Sequence, residues 1–241
     1  MVATGRRRRG AVALERCGLG VGGFHEDQPP RLDGRPVIDG RLDDAQWGSA
    51  AVLRGFSQHN PLDGRPAEDS TRVLVWYGDD AIYFGIRAYA APGSVHGTLA
   101  DRDKIGNDDN VQVILDTFHD SRNGYMFVTT PLGAKLEQQI FDEGEGGNRQ
   151  GTSNINRNWD GVWDAKVSRD AGAWYAEYVI PFKTLRFSGS SSQEWGLNAS
   201  RKILHKNEEV HWAPVPVRYA GTRSDQAGTL RGLENIRQGR N

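Results

Sequence analysis

Apolar residues along this chain fall mostly at every second position, the repeat of an extended strand half in and half out of a core. Val111, Val113 and Leu115 share one face of a short run, and Ile114 on the other face places this strand mid-sheet, covered on both sides. An acidic loop containing Gly106 and Asn107 precedes it, and Asp120-Ser121-Arg122-Asn123-Gly124 follows as a turn signal. Thr71–Tyr77 and Ala81–Tyr89, separated by Gly78-Asp79-Asp80, make the clearest hairpin; Ile82, Phe84, Ile86 and Ala88 alternate with Tyr83, Gly85, Arg87 and Tyr89.

The same reasoning pairs Tyr125–Thr130 with Ala134–Phe141 about Pro131-Leu132-Gly133, and Val162–Ser168 with Trp174–Ile180 about Asp170-Ala171-Gly172. Trp195–Leu204 and Val210–Val215 join through Lys206-Asn207-Glu208, and Thr229–Ile236 is expected as a final edge strand. Near the start, Pro36–Ile38 reads as a short strand. Asp43–Ala51 reads as a helical turn capped by Asp43 or Asp44, with Trp47 inward. Pro181–Phe187 is a bend that sends Phe182, Leu185 and Phe187 into the core. Asp142–Trp159, rich in Gly, Asn and acid, is expected to be a long mobile loop. Roughly ten strands with no sustained helical period predict an all-β fold, a two-sheet antiparallel β-sandwich. Residues 35–238 are assigned to it and residues 1–34 to a disordered or atypical N-terminal tail.

Composition narrows the function classes. A formal net charge of -1 gives no reason to expect nucleic-acid binding. Arg6–Arg9 form one short basic run without interleaved aromatics, read as a solvated tail. Cys17 is the only cysteine, which excludes an intrachain disulfide, a CxxC redox pair and a cysteine-based zinc site. No run reaches the roughly 18 apolar residues of a membrane helix, and Glu15 and Arg16 interrupt the apolar stretch that follows the arginines, so no export signal is assigned. There is no GxSxG elbow, HExxH motif or P-loop. Glu137, Glu143, Glu177 and Glu208 are the carboxylates from which a glycosidase pair would be drawn; Glu177 is expected to face solvent or an ion pair. His205 and His211 are read as surface positions of one hairpin, and Trp163 as core.

Seven stretches in order, PVIDGRLDDAQW, YGDDAIYFGIRAY, DDNVQVILDTFHDSRNGYMF, WDGVWDAKV, IPFKTLRF, WGLN and GTLRGLENI, resemble the family 9 carbohydrate-binding module. The resemblance is stronger still to the N-terminal module of bacterial two-part proteins that continue into an expected outer-membrane barrel. It covers about Arg35 to Ile236. It implies a jelly-roll-like sandwich, a glycan or oligosaccharide bound at the rim, often calcium, a periplasmic or cell-envelope setting, an outer-membrane β-barrel as a possible partner domain, and association with glycoside hydrolysis in polysaccharide catabolism. Sugar-binding members hold a pyranose between two tryptophans. This chain has Gly106 in place of one and Gly221 or a near neighbour in place of the other; Gln112 stands where those members place a carboxylate, and Val128 about where they have an arginine.

Two candidate sites follow. Trp159, Trp212 and Tyr219 are rim aromatics, and a replacement platform of Tyr219 and Trp159 with Gln112 and Arg201 as hydrogen-bonding groups is expected to take the sugar. Asp101, Asp103, Asp108 and Asp109 crowd one loop against only Arg102 and Lys104, and hard carboxylate oxygens are what calcium requires. The reading is a non-catalytic carbohydrate-binding module, with a periplasmic interaction domain of a barrel protein as the alternative and a glycoside hydrolase-associated module as the third.

Overall fold

The computed structural model describes residues 25–142 and 154–238. The Arg6–Arg9 run, Cys17, Glu143 and most of the Asp142–Trp159 loop lie outside the described residues. Among the described residues fourteen strands form two sheets, as the alternation predicted. They are β1 (Glu26–Asp27), β2 (Ala51–Leu53), β3 (Ser57–Asn60), β4 (Thr71–Tyr77), β5 (Ala81–Tyr89), β6 (Asn110–Asp116) and β7 (Gly124–Thr129). Then follow β8 (Lys135–Ile140), β9 (Ile155–Asn156), β10 (Asp164–Arg169), β11 (Ala173–Pro181), β12 (Ser192–Ile203), β13 (Glu208–His211) and β14 (Gly228–Glu234). The large sheet runs β1-β14-β12-β6-β7-β8-β9, with β13 and β3 continuing beside β12; the small one runs β10-β11-β5-β4-β2. All pairings are antiparallel except β1 with β14.

Strand β6 sits between β12 and β7, as its two apolar faces require. Val111, Val113 and Leu115 enter the core between the sheets against Phe84, Trp174 and Tyr178, whereas Ile114 joins Met126, Val128 and Ile140 on the outer face of the large sheet. Phe182, Leu185 and Phe187 reach the core from a short 3-10 turn, Phe182–Thr184. The outer face of the small sheet is also covered. Trp47, Trp76 and Tyr83 cluster there beneath Leu32, Ile38 and Leu42.

That cover accounts for three departures from expectation. Pro36–Ile38 is no strand: it runs over the outer face of the small sheet, and Val37 N–H donates to Asp44 Oδ2. The helical turn shrinks to Ala45–Gly48, and Asp44 precedes it without a side-chain cap bond. Glu177, expected at the surface, points outward from β11 but is 0% exposed, because Trp47 Nε1, Asp39 N–H and Gly40 N–H all donate to it. Burial raises its pKa above the ordinary value and those donors pull it back. The sheet also starts before Pro36, since β14 has an open edge that β1 fills, with Thr229 N–H donating to the His25 carbonyl at 2.7 Å.

Candidate functional site

At the far end of β6 the chain leaves a groove of about 620 Å³, walled by Tyr125, Gln139, Trp159, Lys183, Thr184 and Arg186 among others. A second hollow of about 230 Å³ shares Tyr125, Gln139 and Arg186 with it and adds Phe118 and Phe141, both unusually exposed for their size. Trp159 forms the aromatic wall. Its ring leans on Tyr125 at 4.9 Å between centroids and meets Phe127 edge-on at 5.8 Å. A Cβ on Gly161 would come within 2.7 Å of Trp159 Cη2, so only glycine lets the chain fold back under the ring.

The wall is fixed from behind. Arg102 Nη2 donates to the Gly161 carbonyl at 2.9 Å and pairs with Asp160 at 2.8 Å, while the same guanidinium grips the fully buried Glu137. Trp163 Nε1 also donates to Glu137, at 3.0 Å, and Trp163 is core as expected. Thr184 Oγ1 closes the other side on the Val162 carbonyl. Gln139, which also lines the groove, accepts at Oε1 from Asn156 Nδ2 at 3.2 Å, and that bond fixes its amide.

The expected platform does not assemble around this wall. Trp159 is in the groove, but Tyr219 lies past the end of β13, where the guanidiniums of Arg218 and Arg223 stand over its ring at 4.7 and 4.6 Å. Gly221, two residues on, packs against Glu209 and His211 of β13. Strands β12 and β6 lie between β13 and β7, which carries Tyr125, a separation of three strand spacings or ~14 Å. Gln112 is half-buried on the outer face beside Ser200 and Val128. Arg201 pairs with Val111 and therefore points the other way, into the sandwich, where it is 1% exposed and Nη1 donates to Thr71 Oγ1 at 3.3 Å. Burial lowers its pKa, opposed by Asp69, Asp109 and Glu208. Trp212 is core, edge-on to His25 at 5.3 Å. The two glycines that stand in for tryptophan differ: Gly106 faces open space, whereas a Cβ at Gly221 would overlap Glu209 Oε1.

The acidic loop is likewise divided. Asp101 and Asp103 are exposed, with Lys104 Nζ 3.1 Å from Asp101. Asp108 and Asp109 are buried and engaged: Asp108 accepts from Thr98 N–H and Oγ1 at 3.1 and 2.7 Å, and Asp109 accepts from His96 N–H and Leu204 N–H at 3.0 and 2.7 Å. Among the described residues no three His, Cys, Asp or Glu side chains are grouped to hold a metal ion, and the four carboxylates of this loop are split between two in solvent and two engaged by N–H and hydroxyl donors. His211, expected at the surface, is buried with Nε2 2.8 Å from Glu209 Oε1, because the chain around Gly221 covers it. Glu137, Glu177 and Glu208 are each buried and bound to different donors, so none pairs with another across the groove.

Sequence reasoning missed Tyr125, Gln139, Lys183 and Arg186 as groove residues. The signal was present in IPFKTLRF: with Phe182, Leu185 and Phe187 directed inward, Lys183 and Arg186 have to face out.

In fold, the chain is similar to a candidate carbohydrate-binding protein from Bacteroides uniformis ATCC 8492, with a TM-score of 0.67 at 12% identity over 87% of this chain and 99% of that one. It is also similar to a family 9 carbohydrate-binding module from Caldicellulosiruptor kristjanssonii in complex with cellotriose (TM-score 0.56, 12% identity, 90% of this chain and 95% of that one). The glucose complex of a family 9 module from the same organism gives a TM-score of 0.53 at 12% identity, over 89% of this chain and 98% of that one. No family model matches the sequence, and no curated protein matches it. The likeness shows a β-sandwich of the family 9 kind.

Proposed function

We propose that the chain is a non-catalytic glycan-binding module that takes its ligand in the groove at the far end of β6. The observation that carries this reading is the half-buried Trp159 ring set against Tyr125, with the Gln139 amide beside it. A sugar ring offers one apolar face of C–H groups and a rim of hydroxyls, and an aromatic wall with planar amides at its margin matches both. The fold it shares with modules solved with cellotriose and with glucose supports the class of ligand. Glycosidase action needs two carboxylates facing a substrate, and among the described residues the groove's lining offers Asp160 alone, already paired with Arg102.

Affinity electrophoresis through gels cast with a panel of soluble polysaccharides tests this. At least one polysaccharide should retard the protein, and Trp159→Ala should weaken that binding about tenfold, the loss of roughly 1.4 kcal/mol of ring contact. Retardation that survives Trp159→Ala would move the site elsewhere. A protein retarded by no glycan would favour the interaction domain instead.

A further inference from the structure

Two cations flank the aromatic wall, and among the described residues neither has a carboxylate partner: Lys183 and Arg186, both exposed and both lining the groove. Their neighbours differ. Arg102 pairs with Asp160 and Glu137, Arg122 with Asp142 at 2.6 Å, and Lys135 with Asp164 at 3.2 Å. Asp160, the acidic residue among the groove's described lining, is thus answered from behind the wall, and the described lining carries net positive charge on a chain whose formal net charge is -1.

The main chain under both cations is pinned, while their heads are exposed and meet no carboxylate among the described residues. Lys183 sits in the 3-10 turn anchored by the buried Phe182 and by the bond from Thr184 to the Val162 carbonyl. Arg186 N–H donates to Tyr125 Oη at 3.2 Å, and its carbonyl accepts from Thr117 Oγ1, which roots it between the two hollows it lines. A guanidinium offers a planar fork matched to a carboxylate or sulfate, and an ammonium three donors on a long stem.

We propose that the groove selects an acidic glycan, one whose sugars carry carboxylate or sulfate groups, with Lys183 and Arg186 taking the anion while Trp159 takes the ring. The proposal rests on the reading of the groove as a glycan site and adds the charge of the ligand to it.

The test compares charged and neutral derivatives of the same sugar backbone. Polygalacturonate is set against its methyl ester, and carboxymethylcellulose and cellulose sulfate against hydroxyethylcellulose, with polyglutamate as a polyanion that is no sugar. Wild-type protein should bind a carboxylated or sulfated member at least tenfold more tightly than its neutral counterpart, and the carboxylate and sulfate arms identify which anion is preferred. Raising NaCl from about 0.05 to 0.5 M should erode that preference, since exposed pairs are screened within a Debye length. Lys183→Gln/Arg186→Gln should abolish the preference with an unchanged melting temperature, as both side chains are exposed and unpaired with any carboxylate among the described residues. Equal binding of charged and neutral partners, or a preference kept by the double variant, would overturn the acidic ligand and leave the glycan site standing. Polyglutamate bound as tightly as the acidic glycans would overturn it in favour of a plain polyanion surface. No retention by any glycan would bring down both readings.

Discussion

Strand β6 ends in two loops regions about 20 Å apart that use charge in opposite ways. Ahead of it, Asp108 and Asp109 are buried, and their oxygens accept from Thr98, His96 and Leu204. Beyond it, Lys183 and Arg186 keep their charged heads in water beside an aromatic wall. The acidic loop has more charged residues and looked more like a site. Its carboxylates replace backbone partners that a loop lacks, which is a structural task. Among the described residues the groove's cations carry no such duty, so charge left over after the fold is satisfied is the better mark of a ligand site.

The largest test of that contrast is Arg102→Ala. It strands the buried Glu137 carboxylate without its cation and frees the Asp160–Gly161 wall. Breaking a buried pair from one side costs 3–5 kcal/mol; with Arg102 partly in water the loss should be about 3 kcal/mol, read by denaturant unfolding. Glycan retention should fall with it, because Trp159 loses its backing. A variant as stable as wild type would show that the wall is not held from Arg102.

Next in size is Asp109→Ala, which leaves the His96 and Leu204 N–H groups unpaired and should cost about 2 kcal/mol of stability. Binding at the groove should not change, since Asp109 lies at the other end of β6. Weakened glycan binding at constant stability would return the acidic loop to the ligand and reverse the comparison.

Much of this was legible in the chain, and the failures share a cause. The Thr71–Tyr77 and Ala81–Tyr89 hairpin and the two faces of β6 follow from alternation, because both depend on local parity alone. Parity also placed Arg201 correctly had it been followed: Trp195, Leu197, Ala199 and Arg201 share the inward face of β12. Its charge drew it to the rim in the sequence reading. Glu177 was assigned its outward face rightly, but an outward face need not meet water, and here residues 32–47 cover it. The groove was invisible for a different reason. Tyr125, Gln139, Trp159 and Arg186 come from four separate stretches, and only the pairing of β7 with β8 and the return of the chain after β11 bring them together.

The smallest expected effect sharpens the comparison most directly. Calcium needs six to eight oxygens at about 2.3–2.6 Å, and the acidic loop could supply its buried carboxylates only by releasing Thr98, His96 and Leu204. Asp101 and Asp103 face solvent and would pay the ordering cost of two exposed side chains to reach the ion. A site with a dissociation constant near 0.1 mM would add about 2.7 kcal/mol at 10 mM calcium, a shift of several degrees for a domain of this size. The expectation from the engaged carboxylates is a melting temperature unmoved, within about 1 °C, between EDTA and 10 mM calcium. A rise of several degrees that Asp108→Asn removes would mean that the ion outcompetes the backbone for these oxygens, and the loop ahead of β6 would then be a site after all.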